Sequence, residues 1–143
     1  EKLVPIGKQQ LKRRVAMNNN MFNNTCKPTG IRRIYLATQN SSRAFAWLFK
    51  NESAFRQECF LLIVATPITF MLNINVIEQV LLISSILIVL LTEVINTAVE
   101  AVVDRIGLEM NPLSGLAKDL GSAAVALSLL MMVMIWFGIV FFN

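Results

Sequence analysis

Residues 120–142 form a run of twenty-three without a charged side chain. A bilayer core about 30 Å thick is crossed by roughly 20 apolar helical residues. In lipid, each backbone N–H and C=O of such a segment has to be satisfied internally, and a helix does this. Two more stretches share the pattern. Residues 59–77 are nineteen without a charge, although Asn73 and Asn75 make the far end polar. Residues 80–91 are apolar and lead into a helix of mixed character. With 55% hydrophobic residues in a chain of 143, the expected solvent is lipid and the expected organisation is one domain.

The second stretch continues as Glu93-Val-Ile-Asn96-Thr97-Ala-Val-Glu100-Ala-Val-Val-Asp104. At about 100° per residue, Glu93, Asn96, Thr97, Glu100 and Asp104 share one narrow face, and Val, Ile and Ala fill the rest. Acids at membrane depth are costly and normally face a bundle interior or a polar cavity. This stripe therefore calls for a function.

Charge gives the spans an orientation. Eleven of the 13 Lys and Arg residues precede position 57, and only Arg105 and Lys118 follow. A basic half beside membrane spans reads as a cytoplasmic flank next to anionic lipid, and no nucleic acid is expected as a partner. The fold class expected is an all-α membrane protein, with three transmembrane helices preceded by an amphipathic surface helix.

Residues 1–29 are polar and basic, lack the apolar core of a secretory signal, and read as a flexible extension. Residues 30–143 form the membrane domain. The surface helix covers 30–50, with a bend expected at Asn40-Ser41-Ser42. Asn51 is expected to cap the first span. The membrane helices are expected at about 52–72, 77–103 and 118–142, with a loop over 104–119 where Gly107, Asn111-Pro112 and Ser114-Gly115 break the pattern. The positive-inside rule then puts the N-terminus in the cytoplasm and the C-terminus outside. Glu52, Glu100, Asp104, Lys118 and Asp119 converge at the cytoplasmic face.

The chain has no histidine, and its two cysteines, Cys26 and Cys59, imply neither a disulfide framework nor a zinc motif. Proton transfer falls to carboxylates or to Lys, Tyr, Cys or water. Glu93 lies seven residues before Glu100, so about 10 Å deeper, and is the better placed to take a proton from a lipid alcohol. Glu100 and Glu52, nearer water, can hold a hard divalent ion; magnesium uses one or two carboxylates with substrate phosphates and waters. Lys118 can meet a phosphate as a point charge. Asn96, one turn from both acids, can orient either. These are parts of phosphoryl transfer. No glycine-rich phosphate loop is present, so the residues alone do not specify ATP. A small proton-coupled transporter and a structural oligomer held by interhelical hydrogen bonds are the other readings. Three helices are few for a solute path, and the charges gather at one face, which favours the enzyme.

Glu93-x-x-Asn96-Thr97-Ala98-Val99-Glu100-x-x-Val103-Asp104 resembles the signature of the bacterial integral-membrane diacylglycerol kinases. The resemblance runs through Asn51-Glu52-Ser53-Ala54-Phe55-Arg56-Gln57-Glu58 and Val80-Leu81-Leu82-Ile83-Ser84-Ser85. It continues in Asp104-Arg105-Ile106-Gly107 and in Ser114-Gly115-x-Ala117-Lys118-Asp119-x-Gly121-Ser122-Ala123-Ala124. It implies magnesium- and ATP-dependent phosphorylation of diacylglycerol to phosphatidic acid in the bacterial inner membrane, by a homotrimer whose sites are shared between subunits.

By matching position, the resemblance makes Glu93 the general base, Glu52 and Glu100 the metal ligands, and Asn96 their support. Lys118 would meet the phosphates, with Asp119 orienting it or the nucleotide. Asp104, Gly107, Glu109 and Ser114 would lie around the nucleotide, and Arg33, Ser41 and Ser122 near lipid or phosphate. Leu116 departs from the basic residue often found beside the nucleotide, and Asn40 and Ser42 from aromatics on the surface helix. A related branch phosphorylates undecaprenol and shares the Glu-x-x-Asn-Thr/Ser stretch. Asp104-Arg105-Ile106-Gly107 and Gly121-Ser122-Ala123-Ala124 look more like the diacylglycerol branch.

Overall fold

The computed structural model describes residues 29–107 and 111–142. Residues 1–28 of the expected extension, and Glu109, lie outside them. Four helices make up the described chain: α1 (Ile31–Asn51), α2 (Ser53–Met71), α3 (Val76–Ile106) and α4 (Pro112–Phe142). The chain divides into two compact units, Glu1–Arg43 and Ala44–Asn143.

In the first unit, Gly30 enters α1 at φ 62°, a left-handed conformation that costs a glycine little because it has no Cβ. The bend expected at Asn40-Ser41-Ser42 does not form, and α1 is helical throughout. Local bonds support it: Thr38 Oγ1 donates to the Ile34 carbonyl at 3.0 Å, and Gln39 Nε2 donates to the Tyr35 hydroxyl at 2.9 Å.

In the second unit, α1 and α2 are separated by one residue. Asn51 does not cap α2. It ends α1, and its Nδ2 donates back to the Trp47 carbonyl at 2.7 Å. Glu52 takes the cap position with extended backbone and makes no side-chain cap bond, which leaves its carboxylate free of a backbone duty. The Arg56 guanidinium reaches back from α2 to the carbonyls of Phe49 and Lys50, at 3.1 and 3.4 Å, where a cation suits the end of a helix. Phe45 and Phe55 stack across the junction with ring centroids 6.2 Å apart.

Pro67 lies inside α2 and cannot donate to the preceding turn. Polar side chains gather there. Thr66 and Thr69 hydroxyls donate to the carbonyls of Leu62 and Thr66, at 2.7 and 2.8 Å. Gln79 Nε2 of α3 donates to Thr69 Oγ1 at 3.3 Å, so the same cluster ties the hairpin together.

Asn75 and Glu78 close a capping box at the start of α3. The Glu78 N–H donates to Asn75 Oδ1 at 3.0 Å, and the Asn75 N–H donates to Glu78 Oε2 at 2.9 Å. Asn75→Ala is expected to cost about 1 kcal/mol of stability. The check is a lowered midpoint of denaturant unfolding in detergent, with the rate per folded molecule unchanged.

The largest difference from the sequence expectation lies between α3 and α4. A loop over 104–119 was expected; both helices instead extend into it. Asn111-Pro112 starts a helix here. Asn111 Oδ1 accepts from the Leu113 N–H at 2.9 Å, and proline at a first helical position forfeits only an N–H that has no partner there. Asp104, Arg105, Lys118 and Asp119 are therefore helical. At 1.5 Å per residue, the 31 residues of α3 and of α4 each span about 46 Å, more than the hydrocarbon thickness.

The central helix is α3, which packs against both α2 and α4. Its buried face is Leu82, Ser85, Ile86, Val89, Glu93 and Thr97, a helical stripe that starts apolar and turns polar. Trp136 Nε1 of α4 donates to the Leu82 carbonyl at 3.3 Å. The Ser85 and Ser128 hydroxyls bond carbonyls of their own helices, at 2.7 and 2.8 Å. Three helices, α2, α3 and α4, are long and apolar enough to cross a membrane. They leave many large apolar side chains outward, among them Phe60, Leu91, Leu127 and Met134.

Candidate active site

The antiparallel order of α2, α3 and α4 puts the start of α2, the end of α3 and the start of α4 at one end of the bundle. Along α3 the acidic stripe runs from dry to wet. Glu93 is 6% exposed and Thr97 is buried. Asn96 and Glu100 are half-buried, and Asp104 is exposed. The difference comes from which way each side chain faces: Glu93 points into the packed side of α3 and Asp104 outward, although its neighbour Val103 is still buried.

Glu93 is the hub of the carboxylates. Glu52 and Glu100 are both close enough to act on it electrostatically, and so is Glu58. Like charges repel, and together they favour a cation that enters among them. Asn96 Nδ2 donates to Glu100 Oε1 at 3.1 Å, which fixes that carboxylate on the turn facing the site. Lys118 Nζ pairs with Asp104 Oδ1 at 2.6 Å, bridging α4 to α3. Both side chains are exposed to solvent, which screens the pair, so Lys118 can exchange Asp104 for another anion. Glu100 also acts on Lys118.

Glu52, Glu93, Asn96, Glu100, Asp104 and Lys118 are thus linked by bond, ion pair or field. Asp119 and Ser122 are exposed on α4, Ser114 is half-buried in its first turn, and Gly107 is the exposed residue after α3; no bond joins them to that group among the described residues. Arg33 and Ser41 are exposed in the first unit.

One residue was given no role from sequence. Glu58 is 8% exposed, and its Oε2 has no hydrogen-bond partner among the described residues. It follows Glu52 by six residues, and a signal existed: Phe55, Glu58, Ala65 and Thr69 are the buried face of α2, so its spacing from Phe55 placed it inward.

The site can accommodate a metal that arrives with its phosphates. Among the described residues, no three His, Cys, Asp or Glu side chains gather closely enough to cage an ion by themselves. Two carboxylates, Glu52 and Glu100, flank a third; magnesium characteristically takes one or two protein carboxylates and completes its shell with phosphates and water.

A family model described as prokaryotic diacylglycerol kinase matches residues 39–140. A diacylglycerol kinase of Haemophilus influenzae is 48% identical over 116 residues, 81% of this chain and 98% of the relative. One of Escherichia coli is 46% identical over 116 residues, 81% of this chain and 93% of the relative. One of Pseudomonas aeruginosa is 43% identical over 108 residues, 76% of this chain and 88% of the relative. All the helices described here fall within the matched region except the first turns of α1 and the last two residues of α4. On these grounds, and with three apolar helices enclosing one polar end, the chain belongs to the prokaryotic diacylglycerol kinase family.

Proposed function

We propose that the chain transfers the γ-phosphoryl group of ATP to the primary hydroxyl of diacylglycerol, giving phosphatidic acid and ADP at the cytoplasmic face of the inner membrane. Family membership supports the reaction. The observation that carries the site is the buried Glu93 carboxyl one turn from Asn96, which donates to Glu100, with the Lys118–Asp104 pair at the same end of the bundle.

Glu93 takes the hydroxyl proton as the lipid oxygen forms its bond to the γ-phosphorus. The bond from that phosphorus to the β–γ bridging oxygen breaks, and ADP leaves with the electron pair. Burial at the membrane end of the stripe restricts Glu93 to a proton delivered by lipid. Glu52 and Glu100 would hold magnesium, which would supply charge neutralisation on the transferring phosphates. Asn96 keeps Glu100 in place. Lys118 exchanges Asp104 for a phosphate, with Asp119, Gly107, Glu109 and Ser114 around the nucleotide and Arg33, Ser41 and Ser122 toward lipid or phosphate.

Assembly follows from the same physics. One chain of three spans leaves the outer faces of α2 and α4 bare, and a homotrimer with sites shared between subunits would enclose the acids further. Residues 30–50 would lie as an amphipathic helix in the interface, with aromatic side chains such as Tyr35 and Phe45 toward lipid. The basic N-terminal side would remain in the cytoplasm and the C-terminus in the periplasm.

The deciding experiment gives the purified protein magnesium-ATP with diacylglycerol or undecaprenol in the same micelles. Phosphate is expected on diacylglycerol, at least about tenfold faster than on undecaprenol, a difference of about 1.4 kcal/mol in transition-state binding. Phosphorylation of undecaprenol alone would move the chain to the related branch.

A further inference from the structure

Gly121 lies on α4, three residues after Lys118 and on the same side of the helix. It is half-buried where α4 passes α3. A Cβ at this position would stand 3.2 Å from Asn96 Cγ and 3.8 Å from Asn96 Cα, and nearer still to Asn96 Oδ1. Carbon atoms pack comfortably at about 3.5–4.0 Å, so a methyl group here displaces the amide. Gly115 and Gly138 on the same helix would meet nothing within 4 Å. The restriction is therefore local to the crossing with Asn96.

The orientation of that amide matters. Asn96 Nδ2 donates to Glu100 Oε1, so Oδ1 must face the other way, toward α4. There Oδ1 is buried and has no hydrogen-bond partner among the described residues. A Cα hydrogen of Gly121 occupies the direction a side chain would take, and such hydrogens give only weak polar contacts. The oxygen fits against α4 because residue 121 is bare.

We propose that Gly121 is a positioning residue for phosphoryl transfer: its bare backbone holds the Asn96 amide in the orientation that offers Nδ2 to Glu100. This rests on the reading of Asn96 and Glu100 as parts of the active site. Asn96 Cα is anchored inside the long α3, and its side chain has two torsions. A methyl at position 121 meets the amide tip before it meets any backbone. The amide yields first, and turning it withdraws Nδ2 from the Glu100 carboxylate. Stability is little affected, because an amide tip moves more cheaply than a helix.

Four proteins test this: the parent, Gly121→Ala, Asn96→Ala and the double variant, compared for kcat, KM for diacylglycerol, half-saturating magnesium and thermal midpoint. Gly121→Ala is expected to lower kcat by about tenfold to a hundredfold, as small misplacements in an active site do. Half-saturating magnesium should rise, KM for diacylglycerol should stay within about twofold, and the midpoint should hold. With Asn96→Ala the amide is absent, so adding Gly121→Ala should cost no further rate. Equal fractional losses in both backgrounds, or a loss that tracks a lower midpoint, would make Gly121 a packing residue and overturn the inference. If Asn96→Ala loses activity while Gly121→Ala does not, the inference alone falls. If Asn96→Ala keeps the parent rate, the site reading falls and takes the inference with it.

Discussion

Glu93→Gln is expected to lower kcat by about 10³-fold, within the range that a positioned general base contributes, and to leave the fold intact. Glutamine has nearly the same shape but its amide does not accept the hydroxyl proton. Glu93 is buried in the seam that α2 and α4 close over α3, so a shape change would be felt, and this substitution avoids one. It also removes a charge repelled by Glu52 and Glu100. The thermal midpoint should therefore stay level or rise as activity disappears. That combination separates a catalytic loss from an unfolding one. A variant with rates within about tenfold of the parent would remove Glu93 from the role of base.

Glu100→Gln should fail differently. The glutamine Oε1 can still accept from Asn96 Nδ2, the bond that holds the acid in place, so local geometry is kept while the charge is lost. The expected result is a half-saturating magnesium concentration raised by at least about tenfold. Much of the rate should return at high magnesium. Added magnesium should not rescue Glu93→Gln, because a missing base is not a missing ligand. Titrating magnesium against both variants in parallel checks the division of labour between the buried and the half-buried acid. An unchanged magnesium response in Glu100→Gln would break the metal assignment for that residue.

The depth order of the stripe was legible in the sequence. Helical periodicity alone put Glu93, Asn96, Thr97, Glu100 and Asp104 on one face, and the rise per residue alone ordered them in depth. The structure's gradient, from buried Glu93 to exposed Asp104, follows that order. Glu58 is harder to read from sequence, because the pattern of charges Glu52, Arg56 and Glu58 does not by itself say which one turns inward. Packing separates them: Glu58 faces inward beside Glu93, Arg56 turns back to the end of α1, and Glu52 sits at the junction.

Breaker residues misled at Asn40-Ser41-Ser42, which stay helical, and between α3 and α4. Asn111-Pro112 and Ser114-Gly115 read as loop, yet the same residues cap and open α4. Asparagine and proline favour turns and helix starts for the same reason: a side-chain acceptor near the backbone and a fixed φ. Which outcome holds depends on what α4 packs against, and sequence carries no direct record of that.

Apolar run lengths therefore determined that three helices are long and apolar enough to cross a membrane, and helical periodicity determined that one of them carries an acidic stripe on a single face. These are local or additive properties, readable by counting residues. The tertiary structure decided which side chains share the polar end: Lys118 against Asp104, Glu58 beside Glu93, and Gly121 against Asn96. Each pair joins residues from different helices, and their distance is set by how closely the backbones approach. At Gly121 that approach depends on a side chain that is missing, which no hydrophobic or charge pattern records.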